Sequence, residues 1–264
     1  MLLRYPGGKS RGSIRNRIIS SIEDRFPGGV FGEIFLGGAG ITLSLIEKKL
    51  VDNILINEID PALCNLWNRV IHDRAKLIRR IKTFDPSVEK FYRFKEDLIN
   101  GDDDGFKFLF VNRASHGGRG VLAGVQGGVK QDGKYVITCR WNVERMESFI
   151  NKAHSLFSSV KIYGNRCMDL DFENLIDKCD FHYLDPPYWE KGNELYRFSF
   201  SDADHHRLYS SLLTHKNWVL SYNNHQNVRK LYNKFPIVTC DTSGNGGNKP
   251  KTELLIFSNA NPNK

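Results

Sequence analysis

The N-terminal part of the chain alternates between two hydrophobic periods. Apolar residues recur at helical spacing over residues 10–26 and again over 41–49, so both stretches are predicted to be helices. Short apolar runs at 30–36 and 53–57 are typical of buried strands instead. The resulting order of strand, glycine loop, helix, strand and terminal acid is that of the front half of a Rossmann-like fold.

The C-terminal part of the chain repeats this alternation of strands and helices. Apolar runs predict strands at 160–163, 181–184, 218–222, 237–240 and 253–257, and a helix at 202–214 that Asp202 would cap. Because strands of the same kind occur at both ends, we predict an α/β protein in which residues 1–67 and 159–264 share one sheet. Residues 68–158 would then form an inserted, mostly helical domain.

One segment of the predicted insertion has a different amino-acid composition. Residues 105–114 are rich in phenylalanine and 141–157 have helical spacing, whereas 116–133 are rich in glycine and have no aromatic residue. We expect that such a segment cannot pack a core, and that it forms a mobile loop or hairpin whose backbone approaches a partner closely.

The charge of the chain narrows the class of its partner. The formal net charge is +8 and the isoelectric point is near 9.2. Between Gly105 and Arg166 ten Lys and Arg residues stand against only three Asp and Glu residues, so most of the excess lies within the predicted insertion. Such clustering favours nucleic acid as the partner over a protein that is merely basic.

Other classes of protein are disfavoured by the composition. No run of about 18 apolar residues is present, so no membrane span is predicted, and the N-terminus lacks the apolar stretch of a secretory signal. The five cysteines are scattered without a C-x-x-C motif, which predicts neither disulfides nor a zinc site and suits a reducing cytoplasm. His205 and His206 point apart on a helix without a carboxylate at i+4, so we expect them at the surface or in a groove and predict no metal site.

The N-terminal stretch RYPGGKS ends like a phosphate-binding loop. In the pattern G-x-x-x-x-G-K-[ST] the first glycine would fall on Leu3, and too few residues precede it to form the strand that carries such a loop. The pattern therefore fails, and Gly7, Gly8 and Lys9 need another explanation.

A glycine loop after the first predicted strand indicates a cofactor site. The loop reads GGAG at 37–40, and Glu58 ends the next strand 18 residues after Gly40. An acid near this spacing binds ribose hydroxyls in nucleotide-binding folds, and Asp60 competes for the same role. The loop suits NAD or S-adenosylmethionine. Because the strict G-x-G-x-x-G fingerprint for pyrophosphate is absent, a cofactor without phosphates is favoured.

The motif Asp185-Pro186-Pro187-Tyr188 carries the strongest signal for chemistry. It follows the strand at 181–184 and so lies at the carboxyl edge of the sheet, where ligands bind in open α/β folds. The prolines fix the backbone. Asp185 and the Pro186 carbonyl could then accept the two hydrogens of an aromatic amine, and Tyr188 could stack on a base swung out of the duplex. This arrangement matches methylation of such an amine by a sulfonium donor.

With these motifs in order, the chain resembles the Dam-like DNA adenine methyltransferases over nearly its whole length. The resemblance rests on RYPGGK at 4–9, FLGGAG at 35–40, INEID at 56–60, FVNR at 110–113, DPPY at 185–188, the segment 218–223, and NGG at 245–247 ahead of TELL at 252–255. The family's usual Asp is Glu58 in this chain. The region 105–145 departs most from the family pattern, so GATC is not assumed as the target.

The resemblance implies a Rossmann-like, S-adenosylmethionine-dependent methyltransferase sheet with the insertion as its target-recognition domain. The DPPY motif would be catalytic, with Asp185 also beside the cofactor. The other residues expected at the cofactor are Tyr5, Lys9, Phe35, Gly37, Gly38, Gly40, Glu58 and Asp169, with Asp171 as the alternative to Asp169. The residues expected at DNA are Asn112, Arg113, Arg119, Arg140 and Lys249.

The predicted function is site-specific transfer of a methyl group from S-adenosylmethionine to the exocyclic amine of adenine in double-stranded DNA, with base flipping. The DPPY motif also serves enzymes that methylate the cytosine amine, and the basic insertion also suits structured RNA. A DNA-binding protein with an inactive site is the alternative from another class. We further expect a cytoplasmic monomer of bacterial or phage origin, with restriction-modification, a phage function and host regulation left open as its role.

Overall fold

The computed structural model describes residues 1–4, 9, 12–163, 172–190, 197–242 and 251–258. The predicted site residues Tyr5, Asp169 and Lys249 lie outside these ranges, as do Asp171 and the NGG segment at 245–247. Of the N-terminal motif RYPGGK, Arg4 and Lys9 are described.

The centre of the molecule is a single twisted sheet. Its strands are β1 (Phe31–Glu33), β2 (Asn53–Ile56), β3 (Lys161–Tyr163), β4 (Phe181–Leu184), β5 (Trp218–Asn223), β6 (Ile237–Thr242) and β7 (Lys251–Phe257). The seven strands are arranged in the order β3-β2-β1-β4-β5-β7-β6. β1 to β5 pair in parallel, whereas β7 runs antiparallel to both β5 and β6. The strand order reverses between β1 and β4, so the carboxyl ends of these strands form the expected ligand-binding edge.

Ten helices surround this sheet in the part of the chain that is described. They are α1 (Gly12–Glu23), α2 (Gly40–Glu47), α3 (Pro61–His72), α4 (Arg74–Thr83), α5 (Val88–Ile99), α6 (Gly105–Ala114), α7 (Val143–Phe157), α8 (Phe172–Ile176), α9 (Asp202–Leu213) and α10 (Gln226–Leu231). Between α6 and α7 the chain forms short 3-10 turns at His116–Gly118, Gly120–Leu122 and Ile137–Arg140. Within the described ranges, no helix has the length and apolar character needed to span a membrane.

The sheet separates two hydrophobic cores because successive residues of a strand point to opposite faces. Ile54 of β2 belongs to one core and its neighbour Leu55 to the other. The helices between β2 and β3 add Phe91, Phe106 and Ile150 to the same core as Ile54. These helices therefore share one hydrophobic core with that face of the sheet, and the proposed boundaries of an inserted domain at 68–158 stay a prediction.

Three local predictions were wrong. The glycine-rich segment at 116–133 was predicted not to pack a core. Val125 of this segment is nevertheless 5% exposed and belongs to the first core, because an antiparallel bridge pairs it with Ser115. Helix α9 is capped by Ser201 rather than Asp202, since the Ser201 hydroxyl accepts from the N–H of Asp204, whose carboxylate accepts from Ser201 in return. His205 is only 1% exposed and does not lie at the surface.

Candidate active site

The carboxyl ends of β1, β2 and β4 bring the glycine loop, Glu58 and Asp185 to one edge of the sheet. Glu33, the last residue of β1, is in register with Ile56 of β2 and Tyr183 of β4. The three parallel strands therefore end at nearly the same level, and the segments that follow them converge.

The glycine loop is a tight turn that leads into helix α2. Gly37 has φ +48° and Ala39 has φ +53°, a left-handed conformation that side chains other than glycine rarely adopt. Ala39 occupies the N-cap position of α2 and is fully buried. The Gly37 N–H donates to Glu58 Oε2 at 2.8 Å, and the Gly37 carbonyl accepts from Trp67 Nε1 at 2.9 Å. The turn is therefore fixed on both sides.

The rest of the loop leaves room for a ligand. A Cβ atom added to Gly38 would meet no other atom within 4 Å, so this residue faces open space beside the end of β1. Gly40 begins helix α2. Phe35 is 8% exposed and packs on Phe172 and Phe200, with ring centroids 6.2 and 5.4 Å away. Phe35 is thus part of the second core.

Glu58 supports the glycine loop from the end of β2. Its two carboxylate oxygens accept backbone N–H groups from Gly37 at 2.8 Å and from Asp60 at 3.1 Å. Burial raises the pKa of Glu58 to about 7 in spite of these hydrogen bonds. Asp60, the competing acid, caps helix α3 through the N–H of Ala62 at 3.0 Å and pairs with Arg197 at 3.3 Å. The two acids therefore have different partners, and Glu58 is the one bonded to the loop.

Asp185 is held firmly at the end of β4. Its Oδ1 accepts from the Ser221 hydroxyl at 2.8 Å, and that hydroxyl also lies 2.9 Å from the hydroxyl of Tyr183. The Asp185 side chain keeps 21% exposure, whereas Tyr188 is 8% exposed. The carboxylate therefore has a fixed orientation and an open side.

The ammonium group of Lys9 contacts two residues of the DPPY motif. Its ammonium is 3.1 and 3.3 Å from the two oxygens of Asp185, 2.9 Å from the Tyr188 hydroxyl and 3.1 Å from Glu253 Oε2. The Tyr188 hydroxyl in turn donates to Glu253 Oε1 at 2.8 Å. Burial by itself would lower the pKa of Lys9, but the charges of Asp185 and Glu253 outweigh it and raise that pKa well above its ordinary value. Lys9 is therefore a buried ammonium ion.

Three carboxyl groups, those of Glu33, Glu58 and Asp185, lie at this edge of the sheet. Burial, and then the nearby charges of Asp185 and Glu58, raise the pKa of Glu33 to about 8, although Thr42 donates to its carboxylate from both its N–H and its hydroxyl. Carboxylates without a counter-ion are costly to bury. Glu33 is therefore mostly protonated at neutral pH, and the negative charge at this edge comes from Asp185 and from the ionised form of Glu58. These two carboxylates suit a positively charged ligand, and the sulfonium and ammonium groups of S-adenosylmethionine are such charges.

Aromatic stacking fixes the residue that follows the DPPY motif. The Asn223 side chain accepts from the Trp189 N–H at 3.1 Å and donates to the Trp189 carbonyl at 3.3 Å. The Trp189 ring stacks on His205, with ring centroids 4.2 Å apart. Burial lowers the pKa of His205 to about 4, and its Nδ1 is hydrogen-bonded to the Tyr222 hydroxyl. His205 is thus a neutral packing residue.

The described residues contain no cluster of three His, Cys, Asp or Glu side chains arranged to hold a metal ion.

The residues predicted at DNA fall into two groups. Asn112 is 3% exposed and binds the backbone of Arg4 through its oxygen at 2.9 Å and its nitrogen at 3.0 Å. Arg113 donates to the carbonyls of Arg140 at 2.6 Å and Leu2 at 2.8 Å, and burial, with the charges of Arg4 and Arg140, lowers its pKa to about 10. The side chains of Arg119 and Arg140 are exposed. Of these four residues, Arg119 and Arg140 have side chains that are open to solvent.

Comparison with known proteins decides the family. The model for D12 class N6 adenine-specific DNA methyltransferases matches residues 5–243 of this chain. The chain belongs to this family. The predicted family, the α/β methyltransferase fold and the enzyme class are therefore confirmed: this methyltransferase modifies adenine in DNA, and S-adenosylmethionine is its methyl donor.

The individual proteins that match this chain share little sequence identity with it. The Type II methyltransferase M.MjaIII of Methanocaldococcus jannaschii is 23% identical over 271 residues, which cover 89% of this chain and 88% of that protein. Two solved structures of the rRNA methyltransferase aviRa from Streptomyces viridochromogenes are 11% and 10% identical and align with TM-scores of 0.39 and 0.41. Both alignments cover 96% of this chain and 87% of aviRa.

Three residues of the site were missed by sequence reasoning. Ser221 binds Asp185, Asn223 binds Trp189, and Glu253 binds Tyr188 and Lys9. Ser221 interrupts the apolar run predicted as a strand at 218–222, Asn223 directly follows that run, and Glu253 begins the strand predicted at 253–257. A polar residue within or beside an apolar run was the available signal. Strand register, which periodicity does not give, brings all three to the segment that contains Asp185 and Tyr188.

Proposed function

We propose that Asp185, Pro186, Pro187 and Tyr188 are the residues that methylate the adenine amine. The observation that carries this proposal is the fixed Asp185 carboxylate, which Ser221 orients at 2.8 Å and which keeps an open side. An aromatic amine is a poor nucleophile because its lone pair is delocalised into the ring. Acceptors for both amine hydrogens, supplied by Asp185 and the Pro186 carbonyl, would localise that pair on nitrogen.

Tyr188 would complete the base site. Its hydroxyl is held between Lys9 at 2.9 Å and Glu253 at 2.8 Å, so the plane of its ring is set before the base arrives. A preset aromatic ring can stack on a base without an ordering cost at the moment of binding.

The cofactor would lie beside the glycine loop, against Phe35, Gly37, Gly38, Gly40 and Glu58. The open side of Gly38 and the bond from Gly37 to Glu58 support this placement. When bound there, S-adenosylmethionine would supply the methyl group from its sulfonium sulfur to the amine nitrogen, sulfur would keep the S–C electron pair, and one amine proton would leave to solvent. Asp185 would border both ligands, and Tyr5 and Asp169 are proposed as further contacts.

The substrate would be a short target sequence in duplex DNA with its adenine flipped out. The amine of a paired base cannot reach a carboxylate at the bottom of a site, so extrusion is required. Residues 68–158 would act as the target-recognition region. Exposed Arg119 and Arg140 would contact DNA there, with Lys249 as a further contact, and Asn112 and Arg113 would support the N-terminal segment beside them.

The wider role is proposed from the relatives and from the chemistry. M.MjaIII is a Type II methyltransferase, which favours a restriction-modification role for this chain. DNA and S-adenosylmethionine meet in the cytoplasm of a bacterium or a phage-infected cell, and we propose that the protein acts there as a monomer.

Sequencing of native plasmid DNA from cells that express the chain tests the proposed site. We expect N6-methyladenine at one short motif with the wild type, and none with a folded Asp185→Ala variant. Modified cytosine, or modified RNA with unmodified DNA, would move the substrate to the corresponding alternative. Unmodified nucleic acid throughout, with tight DNA binding by the purified protein, would indicate an inactive DNA-binding relative.

A further inference from the structure

The last strand brings a second carboxylate to the catalytic motif. Glu253 lies near the start of β7, in register with Asn223 of β5 and Cys240 of β6, and is 8% exposed. Because β7 is antiparallel to β5, its beginning lies at the carboxyl edge of the parallel strands. Glu253 is therefore buried at the same edge as Asp185.

Both oxygens of Glu253 are tied to the motif. Oε1 accepts from the Tyr188 hydroxyl at 2.8 Å, and Oε2 lies 3.1 Å from the ammonium of Lys9. Lys9 also donates to the Tyr188 hydroxyl at 2.9 Å. Lys9, Tyr188 and Glu253 thus form a closed triangle, and Lys9 joins this triangle to Asp185.

The charges in this cluster do not cancel. Lys9 contributes one positive charge, and Asp185 and Glu253 contribute one negative charge each, so the cluster carries one net negative charge. With Asp185 as its sole counter-ion, Lys9 would neutralise the carboxylate that receives the amine. Methyl transfer moves positive charge onto the amine nitrogen next to Asp185, so a residual negative charge favours the transition state more than a neutral pair does.

We propose that Glu253 is a positioning residue for methyl transfer that acts through Lys9 and Tyr188. It serves as the counter-ion of Lys9, which leaves the charge of Asp185 to the amine, and it fixes the Tyr188 hydroxyl. This inference rests on the catalytic roles proposed for Asp185 and Tyr188.

The first variant is Glu253→Gln, which keeps an oxygen for the Tyr188 hydroxyl and removes only the charge. We expect the single-turnover rate of methyl transfer to fall about tenfold to a hundredfold, as loss of a nearby unit charge predicts. The dissociation constants for duplex DNA and for S-adenosylmethionine should change less than about threefold, because the effect lies in the transition state. Asp241→Asn removes an exposed carboxylate from the adjoining strand β6 and should leave the rate unchanged.

The second test removes the charge that Glu253 balances. In a Lys9→Met background the two carboxylates repel each other, so one of them should bind a proton near neutral pH. The rate of Lys9→Met should then rise with pH between about 6 and 8, and Glu253→Gln added to Lys9→Met should remove that rise without slowing the reaction further. This pH profile is measurable even if Glu253→Gln alone does not fold.

The outcomes separate this inference from the proposed function. A wild type that methylates no nucleic acid would refute the proposed function itself. With an active wild type, Glu253→Gln at the wild-type rate would refute the counter-ion role alone. The counter-ion role would also be refuted if Glu253→Gln slowed the wild type and Lys9→Met by the same factor, because the double-mutant cycle would then show no coupling between the two residues. A Lys9→Met profile that stays flat with pH would refute the role as well.

Discussion

Replacing Asn112 with alanine should destabilise the fold rather than abolish DNA contact. Sequence resemblance placed Asn112 at DNA, but its side chain makes three hydrogen bonds inside the protein, two with the backbone of Arg4 and one with the Gly118 carbonyl at 3.0 Å. Its 3% exposure leaves no face for a base. The amide therefore fastens the N-terminal segment, which continues to Lys9, onto helix α6.

The expected loss in the free energy of unfolding can be worked out from those three hydrogen bonds. A buried hydrogen bond contributes about 1 kcal/mol net, so Asn112→Ala should lower the free energy of unfolding by about 3 kcal/mol. For a chain of this size each kcal/mol corresponds to a fall of about 2–4 °C in Tm, which predicts a loss of roughly 6–12 °C. Urea unfolding, followed by circular dichroism, measures the same change independently.

Arg119→Ala is the matched control, because this exposed arginine lies close in sequence and has the opposite expected behaviour. Its Tm should stay within about 1 °C of wild type, since surface changes are nearly neutral, while affinity for duplex DNA falls by about threefold to tenfold. An Asn112→Ala variant that keeps the wild-type Tm and selectively loses DNA affinity would instead place Asn112 at the DNA.

Three further predictions concern the carboxylates at the sheet edge. The pKa of Glu58 is raised to about 7, so affinity for S-adenosylmethionine, measured by titration calorimetry, should weaken as pH falls through that value, and Glu58→Gln should show no such dependence. The pKa of Glu33 is raised to about 8 from 4.5, so the stability that Glu33 contributes is present below about pH 4.5 and is lost as the pH rises through 8. The Tm of Glu33→Gln relative to that of wild type should therefore increase between these pH values. A Tm difference that does not change with pH would contradict this prediction. Ser221→Ala removes the donor that orients Asp185 and should slow methyl transfer about tenfold at an unfolding cost of about 1–2 kcal/mol; an unchanged rate would mean that Asp185 needs no such support.

Local patterns were sufficient where the structure depends on local rules. Apolar runs located the central strands, and the acids that end β2 and β4 were correctly expected at one edge because parallel strands share their carboxyl ends. The same local reasoning was wrong about the glycine-rich segment. Composition gives the average packing of a segment, whereas Val125 is buried through a single bridge to Ser115.

The partners of side chains depended on long-range pairing that no local pattern contains. Lys9 was expected at the cofactor from the motif RYPGGK, and the described contacts of its ammonium are with Asp185, Tyr188 and Glu253. Sequence separation from Lys9 to these partners is large, so only the folded sheet brings them together. Asn112 likewise keeps its place in the motif FVNR, while its partner is the backbone of Arg4.

The direction of the last strand shows how strongly the chemistry depends on topology. Sequence reasoning placed a strand at 253–257 without its direction, and a parallel strand would begin at the opposite edge of the sheet, far from Asp185. Because β7 is antiparallel, Glu253 meets Lys9 and Tyr188. Glu253, the first polar residue before an apolar run, thereby becomes a counter-ion of Lys9. The net charge around the proposed catalytic residues thus depends on strand direction as much as on the DPPY motif.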